Sequence, residues 1–328
     1  MKISVGELKE LTGKALRNQG YNEEETSIMR EILLYAQLRG NNQGVVKLIG
    51  KGMPKDSETM EIEIEKETPV SVRLNGNQNH AMLVVSKALE IVLEKVRNSG
   101  FALAGTNNTS TSSGAIGYFA RKIAGEGFIG FVFSRAPERV AAYGSYEPVF
   151  GTNPLAIALP VKPNPVVLDM STAAMSFYGV LQAKTAGTQL PEGIGYDADG
   201  NPSIDPTAVI GGALKAFDGG FKGSALALIV ETLAGPLAGA SFSGQPDSKK
   251  NWGHLVIAID PELLGDSNEF QAKLRRLLEN IKCSAMLPEF KEIFVPGERG
   301  DAVLEAIMKS GEVEIEDKLL EELRKATD

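Results

Sequence analysis

Apolar and polar positions alternate at helical spacing from the start of the chain. Ser4 and Glu7 have capping-box spacing, and Leu8, Leu11 and Ala15 then recur on one face. Asn22 with Glu25 repeats the signal ahead of Ile28, Ile32, Tyr35 and Ala36, and Gly40 is a natural stop. The first seventy or so residues therefore read as helical. From about residue 73 the texture changes. Short apolar runs at Phe101–Ala104, Phe128–Phe133, Leu155–Val161, Val166–Met170 and Leu255–Ile259 predict strands. Helical patterns lie between them at Met82–Asn98, Ala115–Ala124, Lys222–Ala240 and Glu269–Ile281. The segments at Gly187–Gly212 and Gly244–Asn251, rich in Gly, Pro, Asp and Asn, read as the least ordered.

Alternating strands and helices invite a doubly wound dinucleotide fold, which needs a Gly-x-Gly-x-x-Gly turn between its first strand and the next helix. No such spacing is read anywhere in the chain. Gly193-Ile-Gly195 and Gly219-Gly220-Phe-Lys-Gly223 lack the third glycine or the preceding strand, and no Walker A pattern occurs. Pattern alone gives a mixed α and β protein with a helical N-terminus.

Charge narrows the partners. Lys plus Arg is 34 against 42 for Asp plus Glu, a net −8, and a surface of that sign disfavours nucleic acid and anionic membranes. More than half of the excess lies in the last 28 residues, where nine acids face four bases, which reads as a solvated acidic tail helix. The opening Met-Lys-Ile-Ser is charged too early for a signal-peptide core. The apolar stretch Ala225–Phe242 is broken by Glu231, Gly235, Pro236 and Gly239, and reads as a buried helix rather than a membrane span. A single cysteine, Cys283, and two histidines, His80 and His254, leave no disulfide framework and no structural metal cluster. These features favour the cytoplasm.

Few motifs carry chemistry. Gly151-Thr-Asn-Pro154 fits a tight turn, structural or ligand-bearing. Leu168-Asp-Met-Ser-Thr-Ala173 places a carboxylate and two hydroxyls after a strand, as a ribose or phosphate contact or as an ordinary helix cap. Gly219–Gly223 opens a helix, where free backbone N–H groups and Lys222 would seat an anion. His254 reads as structural at a strand edge. His80, in the polar Asn75–Asn79 run, reads as facing water.

Ten segments in order nevertheless resemble one family. They are Arg39-Gly40, Gly114-Ala-Ile-Gly-Tyr-Phe-Ala-Arg121, Glu147-Pro-Val-Phe-Gly-Thr-Asn-Pro-Leu-Ala-Ile157, Val167-Leu-Asp-Met-Ser-Thr172, Leu190-Pro-Glu-Gly193, Asp197-Ala-Asp-Gly-Asn-Pro202, Phe221-Lys-Gly223, Gly253-His-Leu255, Ala258-Ile-Asp-Pro261 and Pro296-Gly-Glu298. Together they resemble the malate/L-lactate dehydrogenase family of the non-Rossmann type, and they cover almost the whole chain. That family includes ureidoglycolate and sulfolactate dehydrogenases, 2,3-diketogulonate reductase and cyclic-imine carboxylate reductases.

The resemblance implies an α+β fold with a helical domain, residues 1–72 joined by the C-terminal segment 283–328, beside an α+β cofactor-binding domain at 73–282. It implies a homodimer, NADH or NADPH as cofactor and a small carboxylate as substrate. By motif position the cofactor contacts are Leu168, Asp169, Met170, Ser171, Thr172, Ala173, Ala174, Lys222, Gly223, Gly297, Glu298 and Arg299.

The departures from the family pattern fall on the proton-handling residues. The family usually carries Arg-Gly-x-x-Ser-His-Gly-x-x-Arg. Here the Ser-His pair falls on Asn42-Gln43, and the substrate-anchoring arginine is Lys47. A second family histidine falls on Ser112. Gln43 cannot titrate and so cannot act as a general acid. Hydride transfer to a ketone leaves an alkoxide that needs a proton, whereas transfer to a protonated imine leaves a neutral amine. Three readings stay open: an iminium substrate; Lys47 or Tyr143 as the proton donor to a 2-oxo acid, Lys47 only if its basicity is lowered; or a catalytically inactive or moonlighting dinucleotide-binding homodimer. In the enzyme reading, Lys47 anchors a carboxylate while Gln43 and Ser112 hydrogen-bond the reacting group.

Overall fold

The helix signals at the N-terminus act as read. In the computed structural model, which describes residues 1–327, a short strand β1 (Lys2–Ser4) ends where Ser4 Oγ accepts the Glu7 N–H at 3.0 Å and starts α1 (Val5–Asn18). Asn22 and Glu25 cap each other at the head of α2 (Glu23–Gln37). The two helices pack together through Leu8, Leu16, Met29, Ile32 and Leu33, all fully buried. A 3-10 turn, Val45–Leu48, follows.

The chain then builds its main sheet. β2 (Glu63–Thr68) and β3 (Ser71–Asn75) form a hairpin, and α3 (Ala81–Ser99) crosses over to β4 (Phe101–Thr109). α4 (Gly117–Gly125) leads to β5 (Ile129–Ser134), and β6 (Val140–Ala141) and β7 (Pro148–Phe150) precede β8 (Leu155–Leu159) and β9 (Val166–Met170). Next come α5 (Phe177–Ala186), β10 (Gly195–Tyr196), β11 (Pro202–Ser203), α6 (Pro206–Gly211), β12 (Ala213–Leu214) and α7 (Phe221–Ala234). β13 (Trp252–Ile259), α8 (Ser267–Lys282), α9 (Glu298–Ser310), β14 (Glu312–Glu314) and α10 (Asp317–Lys325) complete it.

The seven-stranded sheet has the order β2-β3-β4-β13-β5-β8-β9, and only β3 and β4 run parallel. Such a sheet offers no doubly wound crossover for a glycine fingerprint. The spacing Gly-x-Gly-x-x-Gly does occur once, at Gly125-Glu-Gly127-Phe-Ile-Gly130, which the sequence reading misses. It leaves α4 and enters β5, the reverse of the strand-to-helix order a dinucleotide turn requires. A five-stranded sheet, β11-β10-β12-β6-β7, gathers Gly187–Gly212 around Val140, Val180, Leu190, Val209 and Leu214. That segment, read as poorly ordered, holds two strands and a helix.

Three more expectations change. β2 and β3 lie partly or wholly inside residues 1–72, so the large sheet begins at Glu63 within the stretch read as helical. The acidic tail is not simply solvated: β14 pairs with β1 at Ile3↔Val313, and α10 buries Leu320 and Leu323 in the core that holds α1. α7 is buried on one face only. Phe221–Ala238 is long and apolar enough to cross a membrane by length and composition, with 39% of it buried. Its outer side exposes Phe221, Leu228, Ile229 and Leu237, while its inner side packs on β5 and β13.

Candidate active site

Strand directions bring the chemistry to one edge. The ends of β3, β4, β5 and β9 and the starts of β8 and β13 share one end of the sheet. The loops leaving them line a cleft of 570 Å³ whose walls include Gln43, His80, Ser112, Arg139, Asp169 and Tyr178. A second cavity of 920 Å³ opens between α5, α10 and the 46–52 loop. Asn41, Asn42 and Tyr178 line both, and Lys47 belongs to this partition, with its chain in the wall of the second cavity.

Lys47 occupies an inward position of the 3-10 turn, between buried Val45 and Leu48, with 2% of its surface exposed. Its Nζ donates to Ser112 Oγ at 2.8 Å and lies 3.5 Å from the centroid of the Tyr178 ring. No carboxylate pairs with it among the described residues. Loss of hydration holds its basicity well below that of an ordinary lysine. The loop before it is tightly fixed. Gln37 Oε1 accepts the Val45 N–H at 3.1 Å, and a Cβ on Gly44 would meet the same oxygen at 2.5 Å. Gln43 Nε2 donates to Asn42 Oδ1, and Asn42 Nδ2 to Ser176 Oγ at 2.8 Å, so loop and α5 are tied together.

His80 does not face water. It is 4% exposed, caps α3 through Nδ1, and packs edge-on against Tyr21 at 6.0 Å. Burial, and next the Lys47 charge, push its basicity down to about 3. His254 is equally buried, inside the sheet rather than at an edge, with Nδ1 2.9 Å from Thr106 Oγ1. Asp169 opens partly onto the cleft, but its carboxyl is set deep, and burial raises it to about 6 despite a 2.9 Å hydrogen bond from the Gly117 N–H. Arg139, which the sequence reading passed over, lines the cleft with its guanidinium 4.5 Å from the Phe177 ring centroid and no carboxylate partner among the described residues. A basic residue in a Pro-Glu-Arg loop carries no signal by itself.

The remaining predicted residues fall in three places. Asp169, Met170 and Ser171 line the cleft, while Leu168, Thr172, Ala173 and Ala174 stand behind it. Thr172 and Ala174 hydrogen-bond the 215–217 segment, which brings this motif beside the start of α7. There the expected anion seat is already filled: Asp218 Oδ1 accepts the N–H groups of Gly220 at 2.9 Å and Gly223 at 3.1 Å, and Lys222 is exposed outside the cleft. Tyr143 is 67% exposed and rests against Phe221, away from the cleft lining. Gly297 docks on Val167, four residues before Ser171 and so about 13 Å lower along the strand. Glu298 bonds Lys282, and Arg299 is exposed. Arg135 is wholly buried between Glu231 and Glu138.

Comparison with known proteins agrees with this architecture. The model of the malate/L-lactate dehydrogenase family matches residues 3–324. The chain is 34% identical to the malate/(S)-sulfolactate dehydrogenase of Methanothermus fervidus, over 100% of this chain and 98% of the relative. It is 32% identical to a Δ1-pyrroline-2-carboxylate/Δ1-piperideine-2-carboxylate reductase of Pseudomonas putida, over 93% and 94%. The solved malate dehydrogenase of Pyrococcus horikoshii superposes with a TM-score of 0.87 at 27% identity, covering 99% of this chain and 94% of that one. The largely antiparallel sheet together with these matches places the chain among oxidoreductases without the doubly wound dinucleotide fold. The chain belongs to the malate/L-lactate dehydrogenase family.

Proposed function

We propose that this protein is an NAD(P)H-dependent reductase of a C=O or C=N bond beside a carboxylate, working as a homodimer. The observation that carries the reading is Lys47, a buried cation without an anionic partner among the described residues, whose Nζ reaches Ser112 Oγ in the wall of the cleft from the side of the second cavity. A substrate carboxylate supplies that partner and raises the basicity of Lys47 again, since an opposite charge favours the ammonium. Ser112 Oγ holds Nζ in place, and Gln43 presents its amide to the reacting group. With Tyr143 outside the cleft, Lys47 is the candidate acid for a 2-oxo acid substrate. A cyclic imine carboxylate needs the same anchor and no acid.

A nicotinamide cofactor supplies a hydride when bound. The cleft fits one through Asp169, Met170 and Ser171 at the end of β9 and Arg139, which has no carboxylate partner among the described residues and is a donor for phosphate or carboxylate. Lys222 and Arg299 stay with the reading only as contacts beyond the cleft. A dimer is supported by the exposed apolar side of α7, beside Tyr143, and by Leu277, Leu287 and Phe290 on and after α8.

The test is thermal denaturation with NADH and with NADPH, added separately. A ligand at 100 Kd stabilises by roughly 2.7 kcal/mol. A shift with one of them, then turnover on a panel of 2-oxo acids and cyclic imines, supports the reductase. No shift with either leaves the non-catalytic dimer instead. Sedimentation at micromolar concentration reads the assembly.

A further inference from the structure

The chain has two histidines, both buried, and only His80 borders the cleft. Its Nδ1 accepts the Met82 N–H at 3.3 Å. A ring nitrogen that accepts carries no proton, so in the neutral imidazole the proton sits on Nε2. That atom, like Nε2 of His254, is shielded from solvent and has no hydrogen-bond partner among the described residues, but only the His80 ring belongs to a cleft-lining residue. Buried donors are nearly always paired, so an unpaired one beside a cleft points to an acceptor that arrives with a ligand.

The segment that delivers His80 is costly to hold. Asn77 and Gln78 adopt φ of +44° and +59°, a region non-glycine residues rarely enter. Side-chain amides fix them there. Asn77 Nδ2 donates to Glu61 O at 2.7 Å, and Gln78 Nε2 donates to Asn108 Oδ1 and to Lys250 O. The next N–H, of Ala81, goes to Thr111 Oγ1 at 2.8 Å, beside the Ser112 that holds Lys47. His80, Ser112 and Lys47 therefore converge on one corner, and the Lys47 charge is felt at the His80 ring.

We propose that His80 contacts the substrate, its Nε2–H donating to an oxygen of the bound 2-oxo acid, in place of the imidazoles absent at positions 43 and 112. This rests on the reductase reading. As the carbonyl carbon accepts hydride from the nicotinamide, negative charge grows on its oxygen. The Lys47 ammonium gives that oxygen a proton and is left as the neutral amine, later reprotonated by water. His80 gives no proton away. It stabilises the developing charge as a neutral donor, a role a weakly basic imidazole can fill.

Two histidines make the test direct. In protein labelled with 15N-histidine, long-range proton–nitrogen correlation resolves both rings, and oxalate serves as an inert carboxylate probe. We expect oxalate to move the His80 Nε2 resonance while that of His254, enclosed in the sheet, stays. His80→Asn keeps an acceptor for the Met82 N–H, so the helix cap survives, and it assigns the signal. In this variant kcat/KM on 2-oxo acids should fall about tenfold or more with cofactor stabilisation unchanged. A purely structural His80 would not respond to oxalate. A silent resonance at saturating oxalate, or full kcat/KM in His80→Asn, overturns the proposal. The resonance is read without cofactor, so a failure to bind NADH or NADPH refutes the reductase reading separately.

Discussion

Arg135 and Lys47 are both buried cations, and their surroundings are opposite. Arg135 donates to Glu231 Oε1 at 3.1 Å, to Glu138 Oε1 at 3.0 Å and to the Ser248 carbonyl. Glu231 is itself completed by Asn153 Nδ2 at 2.7 Å and the Ser243 N–H at 3.0 Å. Lys47 has one hydroxyl and one aromatic face. A fold buries a charge for its own architecture by satisfying every lone pair around it. A charge buried and left short of an anion is poised for a ligand.

The largest effect should come from breaking the satisfied centre. Arg135→Met strands Glu231 and Glu138 in the interior and should cost about 3–5 kcal/mol in urea unfolding. A loss under 1 kcal/mol would mean the network relaxes into water. Lys47→Met comes next and acts on a different quantity. Turnover on a substrate found in the panel should fall about 100-fold, near 2.7 kcal/mol of transition-state stabilisation, while the cofactor-induced melting shift is kept. Unchanged kinetics would remove Lys47 from the site.

Acid separates the buried imidazoles from the buried carboxyl. Unfolded histidine binds a proton below about 6.5, whereas His80 and His254 stay neutral in the fold down to about 3. Their contribution to stability is therefore present above pH 6.5 and lost as pH falls through that window. Asp169, raised to about 6, works the other way, because the folded chain takes up its proton first. From pH 6.5 to 5 the balance is a loss of about 2 kcal/mol. Urea unfolding at the two pH values checks it, and equal stability would mean the imidazoles reach water. The smallest effect is expected at Tyr143→Phe. An exposed hydroxyl outside the cleft should change kcat/KM by less than about twofold, and a larger fall would return Tyr143 to the chemistry.

Much of this architecture could be read from the residues. Apolar runs at 101–104, 128–133, 155–161, 166–170 and 255–259 became β4, β5, β8, β9 and β13; β4, β13, β5 and β8 are interior strands of the sheet, whose burial calls for largely apolar sequence, and β9 is an edge strand that keeps an apolar run. β2 escaped notice for the opposite reason. Glu63-Ile-Glu-Lys-Glu-Thr68 is an edge strand, exposed along nearly its whole length, and its charges protect the open edge rather than pattern a core. His80 was misplaced because the Asn75–Asn79 run looked solvated. Those amides turn inward and bond Glu61, Met60, Gly76 and Asn108, so polarity there marks a satisfied interior. The anion seat at Gly219–Gly223 failed on one residue, Asp218, whose carboxylate takes the N–H groups itself. Lys47 was found by its place in a motif. Its burial depends on the packing of α10 and the 3-10 turn, contacts far apart in sequence.

The claim that Lys47 is held for a ligand anion is tested most directly by melting wild-type protein and Lys47→Met, each with and without saturating oxalate. Replacing a buried ammonium that has no carboxylate partner among the described residues by a thioether of similar length should leave the ligand-free protein as stable or more so. Oxalate should then stabilise the wild type alone. A variant that melts well below wild type yet keeps the full oxalate shift would show that Lys47 serves the fold and that the anion binds elsewhere.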